Sequence, residues 1–83
     1  MAIRLSKHAI DKLDILARHG VQITESDVLA AIQTPDHVDD ERYPMIAQRR
    51  HGERHVLRVV FRRDGDDIVV ITVYPGRRQR YED

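Results

Sequence analysis

The chain contains no cysteine, which excludes a disulfide framework and any thiolate metal site. It also lacks a long apolar run. The longest uncharged apolar stretch, Ile68 to Tyr74, falls far short of the ~18 residues a membrane-spanning helix needs. Met1-Ala2-Ile3-Arg4 has none of the apolar character of a signal peptide. These absences lead to the expectation of a cytoplasmic protein without a membrane. Four scattered glycines cannot build a phosphate-cradling loop. The histidines, His8, His19, His37, His51 and His55, form no i,i+4 pair on a helix and have no carboxylate at a fitting spacing. Neither a metal site nor a cofactor is expected from such a pattern.

What is present is charge, unevenly placed. The formal net charge is zero. Residues 1–41 carry four Lys/Arg against eight Asp/Glu, and residues 42–83 carry ten against six. Every basic residue of that second half is arginine. Arginine binds phosphate through a planar fork and stacks on bases, which lysine does not do. The second half therefore points to nucleic acid or an acidic protein partner, with ordinary solvated strand edges as the plainer explanation. A chain of 83 residues buries only ~60–65% of its unfolded surface. It can fold as one domain, residues 1–83, with a thin core that a partner protein or a homodimer would support.

Two helices come first. Ser6 is a fitting N-cap for a helix over residues 6–19, with Ile10, Leu13, Leu16 and Ala17 at helical spacing. Gly20 ends it. Thr24-Glu25-Ser26-Asp27 has capping-box form, flanked by Ile23 and Val28 as a hydrophobic staple. Val28, Leu29, Ala31 and Ile32 form the buried side, and Pro35 stops this second helix near Thr34.

After Pro35 the period changes to two. Strands are predicted over 37–41, 45–50, 55–62 and 68–74, with turns at Tyr43-Pro44, His51-Gly52-Glu53 and Asp64-Gly65-Asp66. The tail from Pro75 reads as polar and basic. The expected fold class is α+β: two N-terminal helices on a twisted antiparallel sheet of three to four strands. Leu57, Val59 and Phe61, with Val69, Ile71 and Val73, should face the helices. That requires an odd-length loop, which would place Arg58 opposite Thr72 and Val56 opposite Tyr74. Arg58, Arg62, Thr72 and Tyr74 then share the other face.

An ordered series of short motifs carries a family resemblance. It runs through His8-Ala9, Arg18, Gly20-Val21, Ile23-Thr24, Asp27-Val28 and Pro35. It continues with Arg58-Val59, Ile71-Thr72-Val73-Tyr74 and Arg80-Tyr81-Glu82. From about Leu5 to Tyr81 the chain resembles the small uncharacterised archaeal and bacterial proteins described as a domain of unknown function with a RelE-like or BrnT-like fold. It departs from them in lacking the basic residue that is common at the position of Leu13 or Leu16, and in having a longer first helix. The resemblance implies helices on a twisted antiparallel sheet, kinship with RNA-cleaving toxins of type II toxin–antitoxin pairs, and a small antitoxin protein as partner.

Metal-independent RNA cleavage needs a base, a cation for the phosphorane and an acid. The candidates for a catalytic set are His8, Arg58, Thr72 and Tyr74. His8 lies in the first turn of the first helix, off its apolar stripe, where it is either a proton-transfer group facing the sheet or a locally packed side chain. Arg58 is a phosphate contact or a solvated strand arginine. Tyr74 moves a proton, stacks on a base, or covers the sheet. Arg62, Arg77, Arg78, Arg80 and Tyr81 are candidates for nucleic-acid contact. Two functions remain open: a possible metal-independent endoribonuclease or RNA-binding toxin, and a non-catalytic module that binds a partner protein or nucleic acid through the same face.

Overall fold

The computed structural model describes residues 1–82. In chain order the elements are β1 (Ile3–Leu5), α1 (Lys7–Arg18), α2 (Glu25–Gln33), β2 (His37–Asp39), β3 (Met45–His51), β4 (His55–Asp64), β5 (Asp67–Arg77) and α3 (Arg78–Tyr81). The strands form one sheet in the order β1-β5-β4-β3-β2, with β1 parallel to β5 and every other pairing antiparallel. The sheet is therefore mixed and five-stranded, not antiparallel with three to four strands. A strand precedes the two expected helices, and a third short helix closes the chain. No helix among the described residues is long and apolar enough to cross a membrane.

Both long helices start where their caps dictate. The Ser6 hydroxyl accepts a bond from the Ala9 N–H at 3.1 Å and donates to the Ile71 carbonyl at 2.9 Å. One serine thus caps α1 and ties it to β5. Gly20, at φ +82°, follows the C-cap residue His19 in the left-handed conformation that glycine tolerates best. The capping box of α2 is complete. Thr24 Oγ1 accepts from the Asp27 N–H at 3.1 Å, and Asp27 Oδ2 accepts from the Thr24 N–H at 2.9 Å. A Thr24→Ala variant should therefore lose about 1 kcal/mol of stability, read as a lowered midpoint in urea.

Helix α1 packs on β5, and α2 on β3 and β4. The core between these layers joins Ala9, Ile23, Val28 and Ala31 to Leu57, Val59, Val70 and Val73. The seam of α1 is Ala9, Leu13 and Leu16, while Ile10 and Ala17 of the expected stripe are exposed. A second cluster extends this layer with Ala47, Phe61 and Ile68.

The hairpin register differs from expectation in an instructive way. Its loop is two residues, Gly65 and Asp66, between the paired Asp64 and Asp67, and Gly65 takes φ +61° as the first position of a II′ turn prefers. With that loop Phe61 pairs with Val70 and Arg62 with Val69. The register then slips: Val60 pairs with Thr72, leaving Ile71 as an extra residue in β5. Such a bulge leaves backbone groups without ladder partners, and the Ile71 carbonyl takes the Ser6 hydroxyl instead. The bulge, and not an odd loop, brings Leu57, Val59 and Val73 onto the helix face. On the hairpin side of it Val70 and Ile68 face the core, in place of Ile71 and Val69. Arg58 consequently lies opposite Tyr74, and Val56 opposite Gly76. Strand β5 also runs on through Pro75, Gly76 and Arg77, where a polar tail was expected.

Candidate nucleic-acid interface

The sheet face turned away from α1 and α2 is organised by one transverse row. His37 of β2 pairs with Gln48 of β3, Gln48 with Arg58 of β4, and Arg58 with Tyr74 of β5. Directly paired residues share a face, so these four side chains project together. Arg58 Nε donates to the Tyr74 hydroxyl at 2.8 Å, and Arg58 Nη1 donates to Gln48 Oε1. Gln48 is only 3% exposed.

The row is roofed by the C-terminus. After β5 the chain turns into α3 and folds back over the sheet. The Arg58 guanidinium carbon lies 4.2 Å from the Tyr81 ring centroid and 5.7 Å from that of Tyr74. Gln48 Nε2 donates to the Tyr81 carbonyl at 3.4 Å. Arg78 fastens the roof: its Nε donates to Glu82 Oε1 at 2.5 Å, its Nη1 to the Glu53 carbonyl at 2.7 Å, and its backbone N–H to the Arg54 carbonyl at 3.0 Å. Val56, beside the Tyr81 ring at Gly76, and Ile46 are buried although they face away from the helices. The far face therefore has a thin core of its own.

The carboxylates on this face, Asp39, Asp64 and Glu82, pair with other arginines, Arg42, Arg4 and Arg78. The Arg58 guanidinium is half-buried and makes no ion pair among the described residues. It has five N–H donors, of which two have the partners named above. Among the described residues its second terminal nitrogen makes no hydrogen bond. Arg62, two pleats further along β4, is exposed and likewise without an ion pair among the described residues. Arg50, opposite Val56, stands 3.9 Å from Glu82.

The other sequence candidates separate. Thr72 is half-buried opposite Val60, one pleat from the Arg58–Tyr74 pair. Arg77 and Arg80 are exposed, Arg80 at 5.7 Å from the Tyr81 ring centroid. Arg78 is committed to holding the tail. His8 is exposed on α1, the layer packed on the opposite face of the sheet, so the structure does not bring it together with Arg58 and Tyr74. Two residues on the row, Gln48 and His37, were not among the sequence candidates. Only the β2–β3–β4 register reveals them. Among the described residues no three His, Asp or Glu side chains converge in a way that would hold a metal ion.

No curated protein and no solved structure matches the chain. A family model does match, over residues 5–75. That span runs from the end of β1 to Pro75 and includes His37, Gln48, Arg58 and Tyr74, while the roof formed by residues 76–82 lies beyond it. The chain thus belongs to the family described as Domain of unknown function (DUF4258).

Proposed function

We propose that this chain is a RelE-like, RNA-directed domain of the type II toxin kind, and that the Arg58 face is where it meets RNA. One observation carries the reading. Arg58 is a half-buried cation, aimed by Gln48 and Tyr74, with no ion-pair partner among the described residues. Burying a charge is costly unless it is compensated, and a guanidinium with free donors is a ready partner for a phosphate. Arg62 and Arg80 extend the positive surface around it, whereas Arg77, opposite His55, has the register of the helix-side residues Leu57 and Pro75; a small antitoxin protein would cover the Arg58 face when the toxin is silent.

The chemistry available is metal-independent transesterification. The RNA 2′-oxygen attacks phosphorus, its proton passes to a base, and the 5′-oxygen leaves with a proton from an acid. The products are a 2′,3′-cyclic phosphate and a 5′-hydroxyl. Arg58 stabilises the phosphorane charge. Tyr74, already hydrogen-bonded to Arg58, is the proton-transfer group in contact with it, and His37 stands two strands away in the same row. His8 has no part in it. A second reading, a non-catalytic binding module, is favoured by the internal bonds that already occupy Arg58 Nε and Nη1.

Induced expression separates the two. The toxin reading expects growth arrest with RNA decay, relieved by Arg58→Ala and unaffected by His8→Ala. Harmless expression with intact RNA would leave only the binding module.

A further inference from the structure

Gly76 is unusual for a glycine. It sits inside β5, opposite the fully buried Val56, and its φ is not positive. Glycine in a strand interior weakens the strand and marks close approach of another group. Here the group is identifiable. A Cβ at position 76 would lie 2.6 Å from Tyr81 Cδ2 and closer still to Cε2. The missing side chain leaves a flat recess, floored by strand backbone and flanked by the Arg58 guanidinium, and the Tyr81 ring fills it. The next residue adds an anion. The Glu82 carboxylate lies 2.5 Å from Arg78 Nε and 3.9 Å from Arg50 Nη2.

The tail therefore presents an aromatic ring stacked beside an arginine, followed at once by a negative charge between two more arginines. A nucleotide has the same make-up: a flat base that stacks on guanidinium, joined to a phosphate. We infer that Tyr81 and Glu82 occupy a nucleotide subsite, and that its ligand is single-stranded RNA, with an unpaired base in the Gly76 recess and the adjoining phosphate between Arg50 and Arg78. The inference rests on the RNA reading above and deepens it by specifying the strand class. A paired base is excluded, because its faces are stacked within the helix and cannot enter a recess one ring thick. The tail competes with RNA for the subsite, so the closed form is the weaker binder.

The test is fluorescence anisotropy with three labelled probes of equal length: a mixed-sequence single-stranded RNA, the same strand with abasic sites, and an RNA duplex. Tyr81→Ala should bind the single strand about tenfold more tightly than the unaltered protein does, with little change for the abasic strand or the duplex. Adding Gly76→Ala to Tyr81→Ala places a methyl group in the recess and should abolish the gain. Tyr81→Phe keeps the ring and should behave like the unaltered protein, which controls for folding. An equal gain for all three probes would overturn the inference, since the tail would then be only a charge screen. Binding of the single strand that is the same in every variant would also overturn it, leaving the RNA reading intact. If no RNA binds any variant while an acidic Tyr-Glu peptide does, both fail and the subsite belongs to a protein partner.

Discussion

A Leu57→Ala variant is expected to lose about 2–5 kcal/mol of folding stability, the cost of a cavity in a core that cannot collapse around it. Leu57 is 2% exposed, on the central strand β4, in the core cluster that joins both helices to the sheet. Its partners in the ladder are Arg49 and Pro75, neither of which can swing in to refill the space. Domains of this size have only about 5–15 kcal/mol of net stability, so the loss takes a large share of the total. The contrasting substitution is Ile10→Ala. Ile10 is 54% exposed on α1, and surface changes of this kind stay within about 0.5 kcal/mol. Urea titrations of the two variants, with unchanged m-values, check the pair. Equal midpoints would mean that the helix layer does not form the main core.

Arg58→Ala should have the largest effect on function, and it should act twice. Removing the guanidinium leaves Gln48 Oε1 buried without its donor and takes the cation away from the Tyr81 ring. An orphaned buried acceptor costs about 1–3 kcal/mol. For RNA, the loss of a charge-assisted contact of about 1.5–3 kcal/mol corresponds to roughly ten- to a hundredfold in affinity. Arg58→Lys separates the two contributions, because lysine retains the charge and loses the planar fork that reaches Gln48 and Tyr74 together. It should recover part of the binding and little of the stability. Lys7→Ala, on the opposite layer, should change neither.

The parts of the fold that were legible in the sequence are those set by neighbours in the chain. Thr24 with Asp27, Ser6, Gly20 and Pro35 mark helix ends through local bonds and backbone conformation, and both helices begin at those caps. Strand alternation likewise located β3, β4 and β5. What was illegible depends on partners far away in sequence. Strand β1 is three residues whose ladder lies on Ile68, Val69 and Val70, and nothing local distinguishes Ile3-Arg4-Leu5 from a disordered start. The bulge at Ile71 is held open by Ser6, a contact 65 residues apart. The tail looked polar because the bonds that fold it back, from Arg78 to Glu82 and to carbonyls of the β3–β4 turn, are disclosed by no window of residues.

The candidate site divides along the same line. Alternation in β4 places Arg58 and Arg62 together, and the structure keeps them on one face with Tyr74. The partner directly opposite Arg58 is Tyr74 instead of Thr72 because of the bulge. Gln48 is a polar residue in a short strand until Tyr81 folds over it. His8 is a different case. The parity that puts Leu57 and Val59 beneath the helices also turns Arg58 away from them, so a histidine on α1 and an arginine at position 58 belong to opposite sides of the sheet on register alone.

The claim that the Arg58 face binds RNA is tested most directly by the salt dependence of binding. Affinity for a single-stranded RNA, measured across a series of salt concentrations for the unaltered protein and for Arg58→Ala, reports both strength and the number of phosphate contacts. Arg58→Ala should bind more weakly at every salt concentration, with the slope of log affinity against log salt reduced by about 0.7, the share of one phosphate contact on a single strand. Two parallel lines of equal height would contradict it, since RNA would then be held elsewhere on the protein.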